Sequence, residues 1–457
     1  MRSVGSARFW AAVLFLNTVL SARFPERVPW LTYLVPSLDV VAMLVVMALL
    51  GAWHKQLTPA LRAGLVGFFL VCRVLRVADG VEQGAYLRNF NWSVDLPLLP
   101  EFVRMFYATL PLPIFVLAAS ALLLSLGGLC FLVARALRVV ETGFSLPAQP
   151  HTRVLSLLIG VLAVATPLLQ PRTVFGDSIV SRVAAEARFA ARLPSYRTAE
   201  LAQIARVQQE LATRPNDLVK LQARNVYLFV IESYGQTVLD RADLSARVLP
   251  EYRRFEADLG HSGFQIASRL LDSPTYGGRS WLAQATLLTS IPTLDSLQFE
   301  LLRAAQPSTL AQIFRAAGYR TVLAQPGTVR ESSEPELYHF EQHYFARDLR
   351  YAGPRFGWAT MPDQFVLDAV RRKELTSTAA RPRFVCYALV SSHVPWSDLP
   401  PLVQDWSTIG DGSAYQTLPR RHFATNWLSL GGAADAYAES VVYDLDVLRR
   451  YIVEFVH

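Results

Sequence analysis

Four short stretches of this chain carry side chains that could do chemistry. The first is Asn225–Gly235, in which six apolar residues, Val226–Ile231, run straight into Glu232, then Ser233, Tyr234 and Gly235. A run of that length, rich in β-branched and aromatic residues, predicts a strand buried on both faces. Parallel sheets present their reactive groups at the carboxyl ends of their strands, so Glu232 stands where a metal or ligand would be met. The plain alternative is a carboxylate that opens an ordinary loop.

The second stretch is Ser273–Thr289, where Gly277-Gly278 permit a tight backbone approach and Trp281–Leu288 has the pattern of a helix. Ser280 then falls at the helix N-terminus, where free N–H groups and the dipole favour an anion. Its hydroxyl is either a nucleophile toward phosphate or sulfate, or a plain N-cap. The third stretch is Ser391-Ser392-His393-Val394-Pro395-Trp396, directly after the apolar run Phe384–Val390. A histidine leaving the end of a buried strand is placed to bind an oxyanion, and otherwise it is structural or merely exposed. The fourth is Gly357–Asp363, which puts Asp363 in the first turn of a helix, as a helix-end carboxylate or as part of the site.

Strands and helices must alternate to bring these stretches together, and from residue 225 onward they do. Ser308–Ala317 reads as a helix stopped by Gly318, Tyr319–Gln325 as a strand, and Pro362–Lys373 as a helix with proline in its first turn. Phe384–Val390 reads as a further buried strand and Ala434–Phe455 as a helix. The sum is an α/β domain over 225–457 with a mostly parallel sheet and helices on both faces.

The first half is a different material. The chain of 457 residues is 52% hydrophobic and 18% charged, and the apolar excess is concentrated in the first 170 residues. Five stretches there approach the roughly 20 residues needed to cross a bilayer: Phe9–Ala22, Pro29–Trp53 with Asp39, Ala60–Val77, Leu110–Ala134 and Val154–Leu169. Arg73 and Arg76 near the end of the third are expected to snorkel to the interface. A slight excess of arginine on one side favours a cytoplasmic N-terminus and a large C-terminal domain outside the cytoplasm. Residues 171–224 read as a polar helical connector. Cys72, Cys130 and Cys386 lie far apart in apolar runs and imply neither a disulfide framework nor a cysteine metal site. The net charge of +7 is scattered arginine without a basic run interleaved with aromatics, which argues against nucleic acid and for an anionic lipid surface.

In this order, after a membrane half, the four stretches make the C-terminal half resemble the sulfatase-like branch of the alkaline phosphatase superfamily. In particular it resembles membrane-anchored lipoteichoic acid synthases and phosphoethanolamine or phosphoglycerol transferases. The resemblance covers 225–455 and implies a metal-dependent transferase in a bacterial inner membrane. Its donor would be a lipid headgroup and its acceptor an envelope glycan or lipid. By that resemblance Val230-Ile231-Glu232-Ser233-Tyr234-Gly235 is the first metal-binding strand and Glu232 a metal ligand. Gly278-Arg279-Ser280 matches the nucleophile turn with serine in place of threonine, so Ser280 is nucleophile and second metal ligand. His393 and Arg279 hold the substrate phosphate, Trp358–Phe365 matches a substrate-side stretch containing Trp358 and Asp363, and Tyr443-Asp444 lies on the helix before the last metal strand. The implied ion is manganese or zinc, with oxygen ligands leaning to manganese. An Asp-His pair should complete the metal site, yet none of the eight histidines follows an aspartate and the chain stops at His457, so the sequence is expected to be a truncated copy. The alternatives are a sulfatase, against which the lack of a Cys/Ser-x-Pro-x-Arg motif counts, and a non-catalytic membrane-anchored binding protein.

Overall fold

A computed structural model describes residues 2–24, 35–53, 55–109, 111–145, 178–214, 218–328, 334–357, 360–376, 381–425 and 433–456. The chain divides into two compact units, Met1–Arg197 and Thr198–His457, with the boundary inside one long helix.

The first unit is helical. Its main helices are α1 (Arg2–Ser21), α2 (Leu38–Ala52), α3 (Pro59–Tyr86), α4 (Leu112–Ser145) and the start of α5 (Ile179–Ala212). Phe9, Leu16, Leu44, Phe69, Leu137 and Phe144 form its core. Among the described residues one helix, Leu112–Phe144, is long and apolar enough to cross a membrane, and only 6% of its most apolar stretch is buried. Ala7–Ser21 and Leu38–Ala52 are apolar but shorter. The expected fifth span, Val154–Leu169, and part of the second lie outside the described residues.

Two charged positions behave differently from expectation. Arg76 is 2% exposed, and its Nε donates to Leu20 O at 2.7 Å while Arg73 donates to Ala22 O. Instead of snorkelling, both side chains turn inward to carbonyls left unpaired at the C-terminus of α1, where a cation also meets the negative end of the helix dipole. Asp39 accepts from Ser178 Oγ at 2.6 Å and Ile179 N at 2.5 Å, so it caps the N-terminus of α5.

The second unit is a four-stranded parallel sheet in the order β1 (Val226–Val230), β4 (Arg383–Ala388), β2 (Arg320–Gln325), β3 (Gln342–Phe345). Six of its helices are α6 (Ala242–His261), α7 (Ser280–Thr289), α8 (Ser296–Ala305), α9 (Leu310–Ala316), α10 (Asp363–Glu374) and α11 (Ala433–Phe455). Side chains alternate along β4, the central strand: Val385 and Tyr387 join a core with Phe365, Val370, Val447 and Tyr451, whereas Phe384 and Cys386 join one with Leu288, Phe314 and Leu323. Helices therefore cover both faces, as the alternation of patterns predicts. β1 departs from expectation. It is only half-buried along its length, because it stands at the edge of the sheet among the described residues and packs beside β4 alone.

Candidate active site

All four strands point their carboxyl ends the same way, and the loops after β1 and β4 lie side by side. Leu389 N donates to Val230 O at 2.9 Å, carrying the strand pairing one step past β4. Beyond it the Ser392 hydroxyl donates to Glu232 O at 2.6 Å, so the two loops that bear Glu232 and His393 are tied directly to each other. Tyr437 on α11 donates its phenol to Ser233 O at 2.7 Å and packs its ring 5.1 Å from that of Trp396. Trp396 in turn donates Nε1–H to Ser392 O at 2.6 Å. Glu232 follows Ile231 into a turn in which Ser233 has φ +56°. Among the described residues its carboxylate has neither a hydrogen bond nor an ion pair.

His393 is held by a turn whose amide donates to Val390 O at 3.1 Å. Its Nδ1 lies 2.6 Å from Val394 O, and since a carbonyl can only accept, Nδ1 carries the hydrogen. In a neutral ring that leaves Nε2 as the acceptor nitrogen.

Asp363 opens α10 and is fully buried. Val390 N donates to both of its oxygens at 2.9 Å, Ser391 N donates to Oδ2 at 2.7 Å, and Asp363 N donates to Ser391 Oγ at 3.0 Å. Asp363 thus reaches the site through the backbone of the His393 turn and not through its own oxygens, which are taken. Trp358 lies outside the described residues.

Gly277 and Gly278 have φ of +71° and +150°, and Arg279 follows at +59°. Three successive residues in conformations that suit glycine swing the chain sharply into α7, whose first residue is Ser280. Leu282, Ala285 and Leu288 hold the helix by burying its other side. Ser280 is half-buried, its hydroxyl makes no hydrogen bond among the described residues, and Arg279 provides no side-chain cap. The Ser280 hydroxyl therefore lies at a helix N-terminus, where the Leu282 N–H is already paired with Arg279 O at 2.9 Å.

Reading motifs alone gave no site role to Asp444. It is fully buried on α11, Asp363 and the Ser392 hydroxyl and amide are its polar neighbours, and neither oxygen completes a hydrogen bond of ordinary geometry. Burial raises the affinity of both carboxyls for a proton, and the neighbouring Asp363 charge raises that of Asp444 further. The backbone amides at Val390 and Ser391 work against this at Asp363, as the Ser392 hydroxyl and amide do at Asp444. A signal was present: Tyr437, Val441, Asp444, Leu448 and Tyr451 fall at alternating spacings of four and three, which puts a carboxylate on an otherwise non-ionic helix stripe.

Among the described residues no three His, Cys, Asp or Glu side chains converge where a metal ion could sit. The implied ligands Glu232 and Ser280 contribute two oxygens, fewer than the three or four of a tight site, so the described residues do not make up a complete metal site.

No family model and no curated protein matches the chain. Two solved structures align with it. The lipoteichoic acid synthase LtaP from Listeria monocytogenes is 13% identical, with a TM-score of 0.33 over 50% of this chain and 51% of its own. The phosphoglycerol transferase GacH from Streptococcus pyogenes, in complex with sn-glycerol-1-phosphate, is 16% identical, with a TM-score of 0.34 over 56% of this chain and 63% of its own. The chain thus spans between 51% and 63% of the length of the structures it matches. Lipoteichoic acid synthases and phosphoglycerol transferases are two of the groups that the motifs resemble.

Proposed function

We propose that this chain is a membrane-anchored transferase that moves a phosphoglycerol or phosphoethanolamine group from a lipid headgroup to an envelope glycan or lipid, through a phosphoseryl intermediate on Ser280. The observation that carries the reading is the corner Gly277–Ser280, which offers a hydroxyl without a hydrogen bond among the described residues at the N-terminus of a ten-residue helix. Such a corner suits a phosphoryl group twice over, with a nucleophile and with N–H donors for the oxygens.

In the first half-reaction Ser280 Oγ forms a bond to phosphorus as the bond to the lipid's alcohol oxygen breaks. The Oγ proton is given up, the departing oxygen gains one, and diacylglycerol leaves. In the second the acceptor hydroxyl loses its proton as its oxygen bonds phosphorus, and Ser280 recovers its hydroxyl. Arg279, the helix N-terminus and the Nε2–H that His393 carries as an imidazolium hold the phosphoryl oxygens. Trp358 belongs to the substrate side by resemblance, and Asp363 acts there by positioning the His393 turn. A divalent ion, manganese or zinc by resemblance, would add Lewis-acid activation at Glu232 and Ser280; the steps above rest on the chain's own groups. The anchor comprises about five spans, with the N-terminus cytoplasmic and residues 225–457 on the outer face of a bacterial inner membrane.

The test is to incubate the full chain in detergent with Mn2+ and fluorescent phosphatidylglycerol or phosphatidylethanolamine, without acceptor, and to map adducts by peptide mass spectrometry. The expected result is diacylglycerol release with one phosphoglycerol or phosphoethanolamine adduct on Ser280, absent from Ser280→Ala. Folded protein that releases no diacylglycerol and carries no adduct with either lipid would remove the reading in favour of a binding protein. Release of free headgroup phosphate without any adduct would favour direct hydrolysis.

A further inference from the structure

Two carboxyls, Asp363 and Asp444, face each other in the interior behind the His393 turn, and both are fully buried. Among the described residues neither makes an ion pair. The phenols of Tyr415 and Tyr443 lie nearby; Tyr415 donates to Gln364 Oε1 at 3.1 Å, and Tyr443 is without a hydrogen-bond partner among the described residues. Asp368, farther along α10, is occupied by Arg371 at 2.7 Å and Arg372 at 2.9 Å, so neither cation reaches inward. His393 belongs to the turn that the pair supports.

Two buried like charges, with no cation paired to either among the described residues, cannot both ionise without a large desolvation and repulsion cost. The donors are divided unequally. Asp363 accepts from two backbone amides, which suits the ionised form, whereas Asp444 has no N–H in ordinary hydrogen-bond geometry, which suits the protonated one.

We propose that Asp363 and Asp444 hold a single proton between them, carried by Asp444, and that this proton sets the position of the turn bearing His393 against the loop bearing Glu232. The chain of contacts is short. Asp363 holds the amides of Val390 and Ser391, and the next residue, Ser392, donates its hydroxyl to Glu232 O. Loss of the shared proton would set two charges against each other under that turn and loosen it. Asp363 and Asp444 are positioning residues, and only the catalytic consequence rests on the transfer reading above.

Two measurements on the full chain in detergent are independent of any activity. In the first, carboxyl-labelled aspartate is incorporated and the infrared carbonyl band of a protonated acid is sought at neutral pH. The wild type should show it, and Asp444→Asn should lack it. The second is the melting temperature against pH. A proton held in the folded state and released on unfolding makes stability fall as pH rises from about 4, where an unfolded aspartate titrates, through the folded pKa. Asp444→Asn should flatten that fall by about 2–4 °C per pH unit.

Hydrogen exchange then tests position. The peptide spanning Leu389–Trp396 should lose protection at alkaline pH in the wild type, after correction for intrinsic rates, and keep it in Asp444→Asn. An absent acid band overturns the proposal, as does an unchanged melting slope in Asp444→Asn. If Asp444→Asn does not fold, the wild-type band alone decides. A sound band and slope with no diacylglycerol release would remove the transferase and leave the acid pair standing.

Discussion

At Ser280 a single oxygen carries the proposed chemistry, and the surrounding backbone restricts what can replace it. Ser280→Thr keeps a hydroxyl at the first position of α7 and should still form the adduct, whereas Ser280→Ala should form none in the same mass-spectrometric assay. His393→Ala removes the imidazolium Nε2–H proposed to meet developing phosphoryl charge, and should lower kcat/KM by about 100-fold with the melting temperature nearly unchanged. Equal activity across all pH values in His393→Ala would show that the ring does not touch the phosphoryl group. The places of Glu232, Ser280 and His393 at the ends of elements were legible because each follows a signal of its own: an apolar run, a glycine pair, or the end of a second apolar run. The role of Asp363 was not legible. Its place in the first turn of α10 was read correctly, but only tertiary packing shows that both of its oxygens face inward to the amides of Val390 and Ser391. Asp444 was obscured for a related reason, since its partner lies 81 residues away in sequence (444 minus 363).

The elements that position these residues follow local rules closely. The helix expected at Ser308–Ala317 begins with Thr309 as N-cap, whose side chain and that of Gln312 complete a capping box, and it stops before Gly318 at φ +89°. Thr309 Oγ1 also donates to Tyr338 O at 2.8 Å, so Thr309→Ala should cost about 1–2 kcal/mol, read as a lower denaturant midpoint with an unchanged slope. Strands β2 and β4 were placed within three residues at each end, because a buried run bounded by glycine, proline or polar residues allows few other readings. The both-face burial expected of β1 failed because an apolar run reports what a strand can bury and not how many neighbours it receives. In the first unit Gly80 matters to packing: a Cβ there would come within 2.1 Å of the backbone oxygen of Arg23. Gly80→Ala must part α3 from the end of α1, and should lower the melting temperature of the full chain by several degrees, whereas Gly64→Ala, with open space around it, should not.

Across the whole molecule the sequence divides into an apolar half and a water-compatible half, and composition alone made that legible. Individual spans were less so. Asp39, Asp79 and Arg182 sit within or beside apolar helices, where they pair with one another or with helix ends, and a hydropathy reading sees only their cost. Among the described residues, Leu112–Phe144 is apolar and largely exposed, which is what the proposed anchor needs. The full chain should therefore stay in the membrane pellet after alkaline carbonate and enter solution only with detergent. Recovery in the carbonate supernatant would remove the anchor.

The inward arginines of α3 and the acid pair of the second unit respond to acidity in opposite ways. The joint between α1 and α3 is held by guanidinium donors to backbone carbonyls, with no carboxyl pair in those two contacts. If the acid pair and the transfer reading both hold, alkali would loosen the His393 turn while leaving the contacts between α1 and α3 in place.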